Sequence, residues 1–248
     1  MPEDSTTRDS FQDGRFATTR WTMVVAAGGE DSPNARQALE FLCRRYWSPL
    51  YFYLRRRGYD KSSAEDSVQG FFAHLLEKHG LQSVRPREFK FRSFLLASLK
   101  NFVSDEWRRT QTERRGGGKR VLPLEFEQAE TRYSLEPSDA LSADKLFDRS
   151  WAMTMIGRAV ESLRGEYAKA GKAELFDQLK SQITTEAEAG FYRQAADRLG
   201  MSEGALRVAV HRLRQRLREL IRDEIAETVT TPEQLEEEIA DLFAAFEH

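Results

Sequence analysis

The chain has 248 residues, with 38 Lys and Arg against 40 Asp and Glu, and its single cysteine is Cys43. One cysteine excludes a disulfide within the chain and argues against a cysteine-ligated zinc site. No apolar run approaches the ~20 residues that span a bilayer, and the N-terminal segment lacks the basic start and apolar centre of a signal peptide. These features predict a cytoplasmic protein without membrane insertion.

The formal net charge of −2 hides a strong segregation of charge along the chain. Residues 36–120 carry a net charge of +10 and residues 191–222 carry +5, whereas the last segment, residues 223–248, carries −9 and has no Lys or Arg. Two basic blocks that are separated and followed by acidic ones indicate two segments that each contact a polyanion.

The chain is predicted to be all-α, because strand-like alternation of apolar and polar residues is nearly absent while helical spacing recurs along most of the length. Residues 1–34 form an N-terminal extension that includes a short helix at 16–27. A long helix follows at 34–57, and Pro49 is expected to kink it or break it in two.

The next predicted helix begins with Ser62 or Ser63 as its cap, and a basic loop separates it from a helix at 91–109. Together these elements form a first helical domain at 35–113. The glycine-rich sequence that follows begins a flexible linker at 114–150, which contains two prolines among acidic residues.

The second predicted domain covers residues 151–222 and ends in a helix-turn-helix. Ala196 precedes Gly200 by four residues, a spacing that suits a close helix crossing followed by a tight turn, and Ser202 caps the second helix. One face of that helix is apolar, with Leu206, Val210, Leu213, Leu217 and Leu220. An arginine-rich helix packed on a neighbour is the alternative, but it would leave the Ala, Gly and Ser spacing unexplained.

Residues 223–248 form an acidic C-terminal helical extension that begins at Thr231 and Pro232. Its predicted apolar face comprises Leu235, Ile239, Leu242, Phe243 and Phe246. This helix is interpreted in three ways: it folds over a basic surface and masks it, it offers an apolar face to a partner, or it packs within the chain and completes the second domain.

The first basic segment, SSAEDSVQGFFAHLLEK at 62–78 with KFRSFLLASLKNFVSDEWRRTQ at 90–111, resembles the second domain of bacterial RNA polymerase sigma factors. Residues 191–222 resemble the fourth domain of that family, in the same order along the chain. No third domain fits between them, so the combination is similar to the extracytoplasmic-function type. Residues 163–190 depart from the family pattern, since they are longer and lack its usual leucine–proline turn.

The resemblance implies that the helix beginning near residue 62 docks on a coiled coil of core RNA polymerase. The matching residues are Glu65, Asp66, Gln69 and Phe72. Asp66 and Gln69 share one stripe of the helix, which suits a polar contact with a partner helix. The other interpretation is that Glu65 and Asp66 stabilise the positive end of the helix dipole, and the two roles are compatible.

The resemblance also implies that the helix at 91–109 and the loop before it bind the −10 promoter element and hold unpaired bases of the melted strand. The candidate residues are Arg85, Arg87, Lys90, Lys100, Asn101, Ser104, Arg108 and Arg109. Phe89 or Phe91 is a candidate for base stacking, although core packing is the more common role for a single aromatic residue.

In the second domain, the resemblance assigns the −35 promoter element to the second helix of the helix-turn-helix. Its N-terminal half enters the major groove, so the candidates for base contacts are Arg207, Val208, His211 and Arg212. Ser202, Arg214 and Arg216 complete the candidate −35 surface, the two arginines by contacting phosphates or polymerase rather than bases.

The predicted function is that of a sigma factor, which confers promoter recognition and initiation on core RNA polymerase. The sequence contains no nucleotide-binding loop, metal-ligand cluster or nucleophile–base pair, so we expect no enzyme activity, cofactor or metal. Promoter DNA is the second partner, and an anti-sigma protein or another regulator is a possible third. The alternative is a helix-turn-helix DNA-binding regulator that acts without polymerase, and a purely structural helical protein comes third.

Overall fold

The computed structural model describes residues 20–26, 33–76, 90–110, 124–136, 141–183 and 190–247, leaving out the side chains of residues 25–26 and 107–110. Every regular element in these ranges is helical, which confirms the all-α class. Besides the short 3-10 helix Lys180–Gln182, the elements are α1 Arg20–Ala26, α2 Pro33–Arg56, α3 Lys61–Leu76, α4 Phe91–Thr110, α5 Phe126–Ser134, α6 Ala143–Lys169, α7 Ala173–Leu179, α8 Phe191–Leu199, α9 Glu203–Ala226 and α10 Pro232–Ala244.

The chain divides into two compact units, and their limits differ from the predicted domains. The first unit comprises residues 1–154 and 225–248, and the second comprises residues 155–224. These limits fall inside α6 and α9 rather than in the predicted linker, residues 114–150. The described part of that linker instead contributes α5 and the start of α6 to the first unit.

Helix α5 is held on α2 by aromatic rings and one carboxylate. The ring centroids of Phe126 and Trp47 are 4.9 Å apart. Glu130 accepts hydrogen bonds from Nε and Nη2 of Arg55, at 3.0 and 2.8 Å, and a third from the Tyr51 hydroxyl. The partners of Glu130 lie 75 or more residues away along the chain. The composition of residues 114–150 carries no information about such distant partners, and it therefore predicted a flexible linker where the structure has a packed helix.

The C-terminal extension belongs to the first unit, not to the second. The backbone N–H of Trp21 donates to the Glu227 carbonyl at 3.1 Å, and that of Phe91 donates to the Thr228 carbonyl at 3.3 Å. Val229, Leu235 and Leu242 are buried. The interpretation that this helix completes the second domain is therefore wrong, because residues 225–248 group with the first unit and form these backbone hydrogen bonds with it.

Part of the predicted face of α10 is also wrong. Thr231 caps the helix as expected, with its hydroxyl accepting from the Gln234 N–H at 3.3 Å. Leu235 and Leu242 are buried together with the charged residue Glu238, whereas Phe243 and Phe246 are exposed. The periodicity located an amphipathic helix, but a buried ion pair takes the central place on its inner face.

Two local predictions in the first unit need correction. Helix α2 is a single helix through Pro49, which is buried inside it, so the expected break in two does not occur. The start of α3 is stabilised by Asp60 rather than by a serine cap, since its carboxylate accepts from the backbone N–H of Ser63 at 2.9 Å and from the Ser63 hydroxyl at 2.8 Å.

The core of the second unit forms around α9, and the predicted buried stripe of this helix is confirmed. Leu213, Leu217 and Leu220 pack with Ala159, Leu163 and Phe176 of α6 and α7. At the N-terminal end, Leu206 and Val210 pack with Leu179 and the two alanines of α8, Ala195 and Ala196. Since all of these side chains are buried, the opposite side of α9 is directed to solvent.

Candidate nucleic-acid interface

The turn between α8 and α9 has the backbone geometry that its residues favour. Gly200 has φ +62°, in the left-handed region, and its N–H bonds to the Ala196 carbonyl, as does the N–H of Met201 at 3.1 Å. The Ser202 hydroxyl accepts from the Ala205 N–H at 3.2 Å. Ser202 therefore caps the start of α9, as the sequence predicted.

Replacing Gly200 by Ala is expected to destabilise the second unit by about 1 kcal/mol, because side chains other than glycine are strained in the left-handed region. Gly204→Ala is the matched control. Gly204 lies in the first turn of α9 with ordinary backbone angles and nothing within 4 Å of an added Cβ, so alanine there should stabilise by about 0.5 kcal/mol. Urea unfolding followed by circular dichroism measures the change in unfolding free energy for both variants. Changes of the same sign in the two variants would contradict a special requirement for glycine at position 200.

The predicted base-contacting residues share the solvent-facing side of α9. Arg207, Val208, His211 and Arg212 are all exposed, opposite the buried leucine stripe. The guanidinium of Arg207 lies over the ring of Tyr192, 4.2 Å from its centroid. Tyr192 belongs to α8 and was not singled out from the sequence, because the pairing depends on how the two helices cross.

Arg214 and Arg216 differ from these four residues, because the side chains of both form hydrogen bonds to other residues of the second unit. Nε of Arg214 donates to the Gln182 carbonyl at 2.8 Å. Arg216 bridges two carboxylates, with Nε and Nη2 at 2.9 and 2.7 Å from Glu166 and Nη1 at 2.7 Å from Glu219. These hydrogen bonds raise the pKa of Arg216 and make its role, like that of Arg214, the attachment of α9 to its neighbours. The sequence showed their charge but not their partners.

On the first unit, part of the predicted −10 surface borders an open cleft of about 440 Å³. Lys100 and Ser104 of α4 line one side, and Tyr53, Arg57 and Tyr59 line the other. Asn101 is exposed on the same helix. The three residues of the second side lie at the end of α2 and just after it, and they were not predicted from the sequence, because only the packing of α2 against α4 brings them to Lys100.

The Lys100 ammonium has two neighbours in this region. Its Nζ lies 2.5 Å from a carboxylate oxygen of Asp144, at the start of α6, and 5.4 Å from the centre of the Tyr53 ring. The Ser104 hydroxyl donates to the Lys100 carbonyl at 2.9 Å. The cleft thus combines cations, hydroxyls and aromatic rings, the groups that bind phosphates and unstacked bases.

The other predicted −10 residues are placed differently. Lys90 is enclosed by carboxylates of α10 and lies 3.1 Å from Glu237. Phe91 is fully buried and packs edge-on against Tyr46 with centroids 4.9 Å apart, which makes it a core residue. Arg85, Arg87 and Phe89 lie outside the described residues, and so do the side chains of Arg108 and Arg109.

The predicted polymerase-binding stripe on α3 is accessible except at one residue. Asp66 is exposed, and Glu65 and Gln69 are partly exposed. Phe72, in contrast, is fully buried and packs on Phe71 with ring centroids 5.5 Å apart. The prediction that Phe72 contacts a partner directly is therefore wrong, because Phe72 lies in the core of the first unit.

No protein-family model, curated protein or solved structure matches the chain. Across the described residues, no group of three or more His, Cys, Asp or Glu side chains is arranged to hold a metal ion. None of the helices in the described ranges combines the length and apolar character needed to cross a membrane.

Proposed function

We propose that this chain is a sigma factor, a promoter-specificity subunit for bacterial RNA polymerase. The observation that carries the proposal is the exposed face of α9, where Arg207, Val208, His211 and Arg212 follow a tight glycine turn and lie opposite a buried leucine stripe. A helix presented in this way fits the major groove, where arginine makes bidentate contacts with guanine. On this proposal α9 recognises the −35 element.

The cleft on the first unit supports a second role for the same chain, the capture of melted −10 DNA. Strand separation becomes favourable when the protein binds the open strand better than the duplex, which requires groups that only an unpaired base or its backbone reaches. Tyr59, Arg57, Lys100 and Ser104 provide an aromatic ring, two cations and a hydroxyl within one cleft. The energy for opening then comes from binding and requires no hydrolysed cofactor.

The third part of the proposal is docking to core polymerase through α3. Asp66 and Gln69 are three positions apart and lie on one side of the helix, where a partner helix contacts both. Contact of this kind distinguishes a sigma factor from a DNA-binding regulator that acts alone.

The double variant Asp66→Ala/Gln69→Ala is expected to weaken binding to core RNA polymerase by at least about tenfold, the scale of losing central polar contacts in an interface. Discrete transcripts from fragmented genomic DNA should disappear with it, while DNA binding by the free protein is unchanged. Ser62→Ala, exposed on the same helix, is the control and should retain both activities. Specific DNA binding without polymerase association, in wild type and variant alike, would favour the regulator.

A further inference from the structure

The acidic helix α10 surrounds the cations at the start of α4. Nζ of Lys90 lies 3.1, 3.3 and 3.4 Å from carboxylate oxygens of Glu237, Glu238 and Asp241. Arg92, two residues further on, contacts the same helix through Glu238 at 3.0 Å and Asp241 at 2.6 Å. Three acids of α10 therefore lie within ion-pair distance of the cations at the beginning of the candidate −10 helix.

These contacts form an inner and an outer layer. In the inner layer the side chains of Arg92 and Glu238 are 9 % and 1 % exposed, and the guanidinium lies over the Trp151 ring at 4.1 Å. Asp148 of α6, a partly exposed residue, also forms an ion pair with Arg92 at 2.6 Å. Burial raises the pKa of Glu238, and the neighbouring cations only partly offset this effect. This buried pair joins α10 to the first turn of α4.

The outer layer is open to solvent. The side chain of Lys90 is 19 % exposed, and those of Glu237 and Asp241 are 64 % and 45 % exposed. Exposed ion pairs are weak and are screened by salt, so competing anions can exchange with these carboxylates while Arg92, which also contacts Asp241, keeps Glu238 and Asp148 as partners. A nucleic-acid phosphate is an anion of this kind.

We propose that Glu237 and Asp241 form an autoinhibitory contact, in which they compete with nucleic-acid phosphate for Lys90 and weaken the binding of DNA by the free protein. The inference rests on the proposed function, since Lys90 precedes the helix that carries the −10 cleft. The two acids act by occupying Lys90 and by repelling the phosphate backbone nearby. Glu238 also lies 3.3 Å from Lys90, but it is buried with Arg92 and stays in place when the two exposed acids are exchanged.

The test is the isosteric double variant Glu237→Gln/Asp241→Asn in the full chain, which removes two negative charges and leaves the Glu238 and Asp148 contacts of Arg92 in place. Fluorescence anisotropy with labelled single-stranded and duplex DNA is recorded over a salt series. We expect binding about 3–10-fold tighter at low salt, and a dependence of log K on log salt that is steeper by about one, as for one more phosphate contact.

Two controls make the assignment specific. Glu233→Gln/Glu247→Gln changes the net charge equally, at the two ends of the α10 segment, and pairs with neither Lys90 nor Arg92 among the described contacts; it should change affinity less than twofold. Adding Lys90→Gln to the test variant should abolish the gain. Equal gains in test and control, or a gain that persists without Lys90, would overturn the autoinhibitory contact.

The test also separates this inference from the proposed function. Wild-type protein that binds DNA and directs transcription, with a test variant of unchanged affinity, refutes the autoinhibitory contact alone. No DNA binding by any variant, together with no transcription in the presence of core polymerase, refutes both. A cooperative thermal transition shows that the test variant is folded.

Discussion

A chain that ends after Thr228 is expected to lose the cooperative unfolding of its first unit. Truncation removes the buried side chains of Val229, Leu235 and Leu242, each of which stabilises by about 1.5–3 kcal/mol when fully buried. It also removes Glu238 and leaves the charge of Arg92 in a mostly buried position with fewer partners. The combined loss is comparable with the ~5–15 kcal/mol that stabilises a typical domain.

Tryptophan fluorescence is a suitable measurement, because all four tryptophans lie before residue 155 and report on the first unit alone. We expect a broad or absent transition in urea for the truncated chain. In the full chain, Glu238→Ala should lower the free energy of unfolding by about 2–3 kcal/mol, near the lower end for a broken buried ion pair since Asp148 and Asp241 remain. Glu237→Ala, on the exposed side of α10, should cost less than about 1 kcal/mol. A sharp wild-type transition in the truncated chain would show that α10 is dispensable for folding.

This result bears on how masking by the acidic tail can be tested. Removing residues 229–248 is expected both to unmask the basic surface and to unfold the first unit. A loss of DNA binding by the truncated chain would therefore not be evidence against masking. Neutralising the exposed acids Glu237 and Asp241 separates the two effects, because the buried Glu238 is retained.

On the proposed function, the second large effect is expected from Arg212→Ala, which should reduce the discrimination between correct and incorrect −35 sequences by about 1–3 kcal/mol, the scale of a lost bidentate base contact. Arg216→Ala is the matched comparison, four residues along the same helix. Arg216 is bound to Glu166 and Glu219 in an exposed ion pair, so its loss should cost under about 1 kcal/mol of stability and leave base preference unchanged.

Competition binding to a library of −35 variants measures base preference for both proteins, and urea unfolding measures their stability. Arg207→Ala is expected to resemble Arg212→Ala, since its guanidinium is exposed and lies over Tyr192. A change of preference in the Arg216 variant together with none in the Arg212 variant would place the reading surface on another face of α9.

Much of the local structure was predictable, because helix formation and helix faces depend on residues close together in the chain. The apolar residues from Leu206 to Leu220 have helical spacing. This spacing predicts one buried helix face whichever neighbouring helix covers it. Gly200 suits a left-handed turn whatever surrounds it. Of the two effects expected at Pro49, a kink or a break, the break does not occur, since α2 is one continuous helix through the buried proline.

The partners of the charged residues were not predictable, because they come from distant parts of the chain. Lys90 and Arg216 have the same charge as Lys100 and Arg212, and the sequence placed them in the same candidate surfaces. Lys90 meets carboxylates about 150 residues away, and Arg216 meets Glu166, 50 residues before it. Phe72 was likewise indistinguishable from an exposed aromatic residue until the packing of α3 buried it.

The sequence by itself determined the helical class, the start and the buried face of α9, the capped start of α10 and the segregation of charge into basic and acidic blocks, because these depend on composition and on spacings within one or two helical turns. Only the tertiary structure decided which cations remain exposed, that α5 packs on α2, and that the acidic C-terminal helix belongs to the first unit. The physical reason is that a side chain's exposure and electrostatic partners depend on which distant segments pack against it, and burial of Arg92 with Glu238 joins residues 146 positions apart.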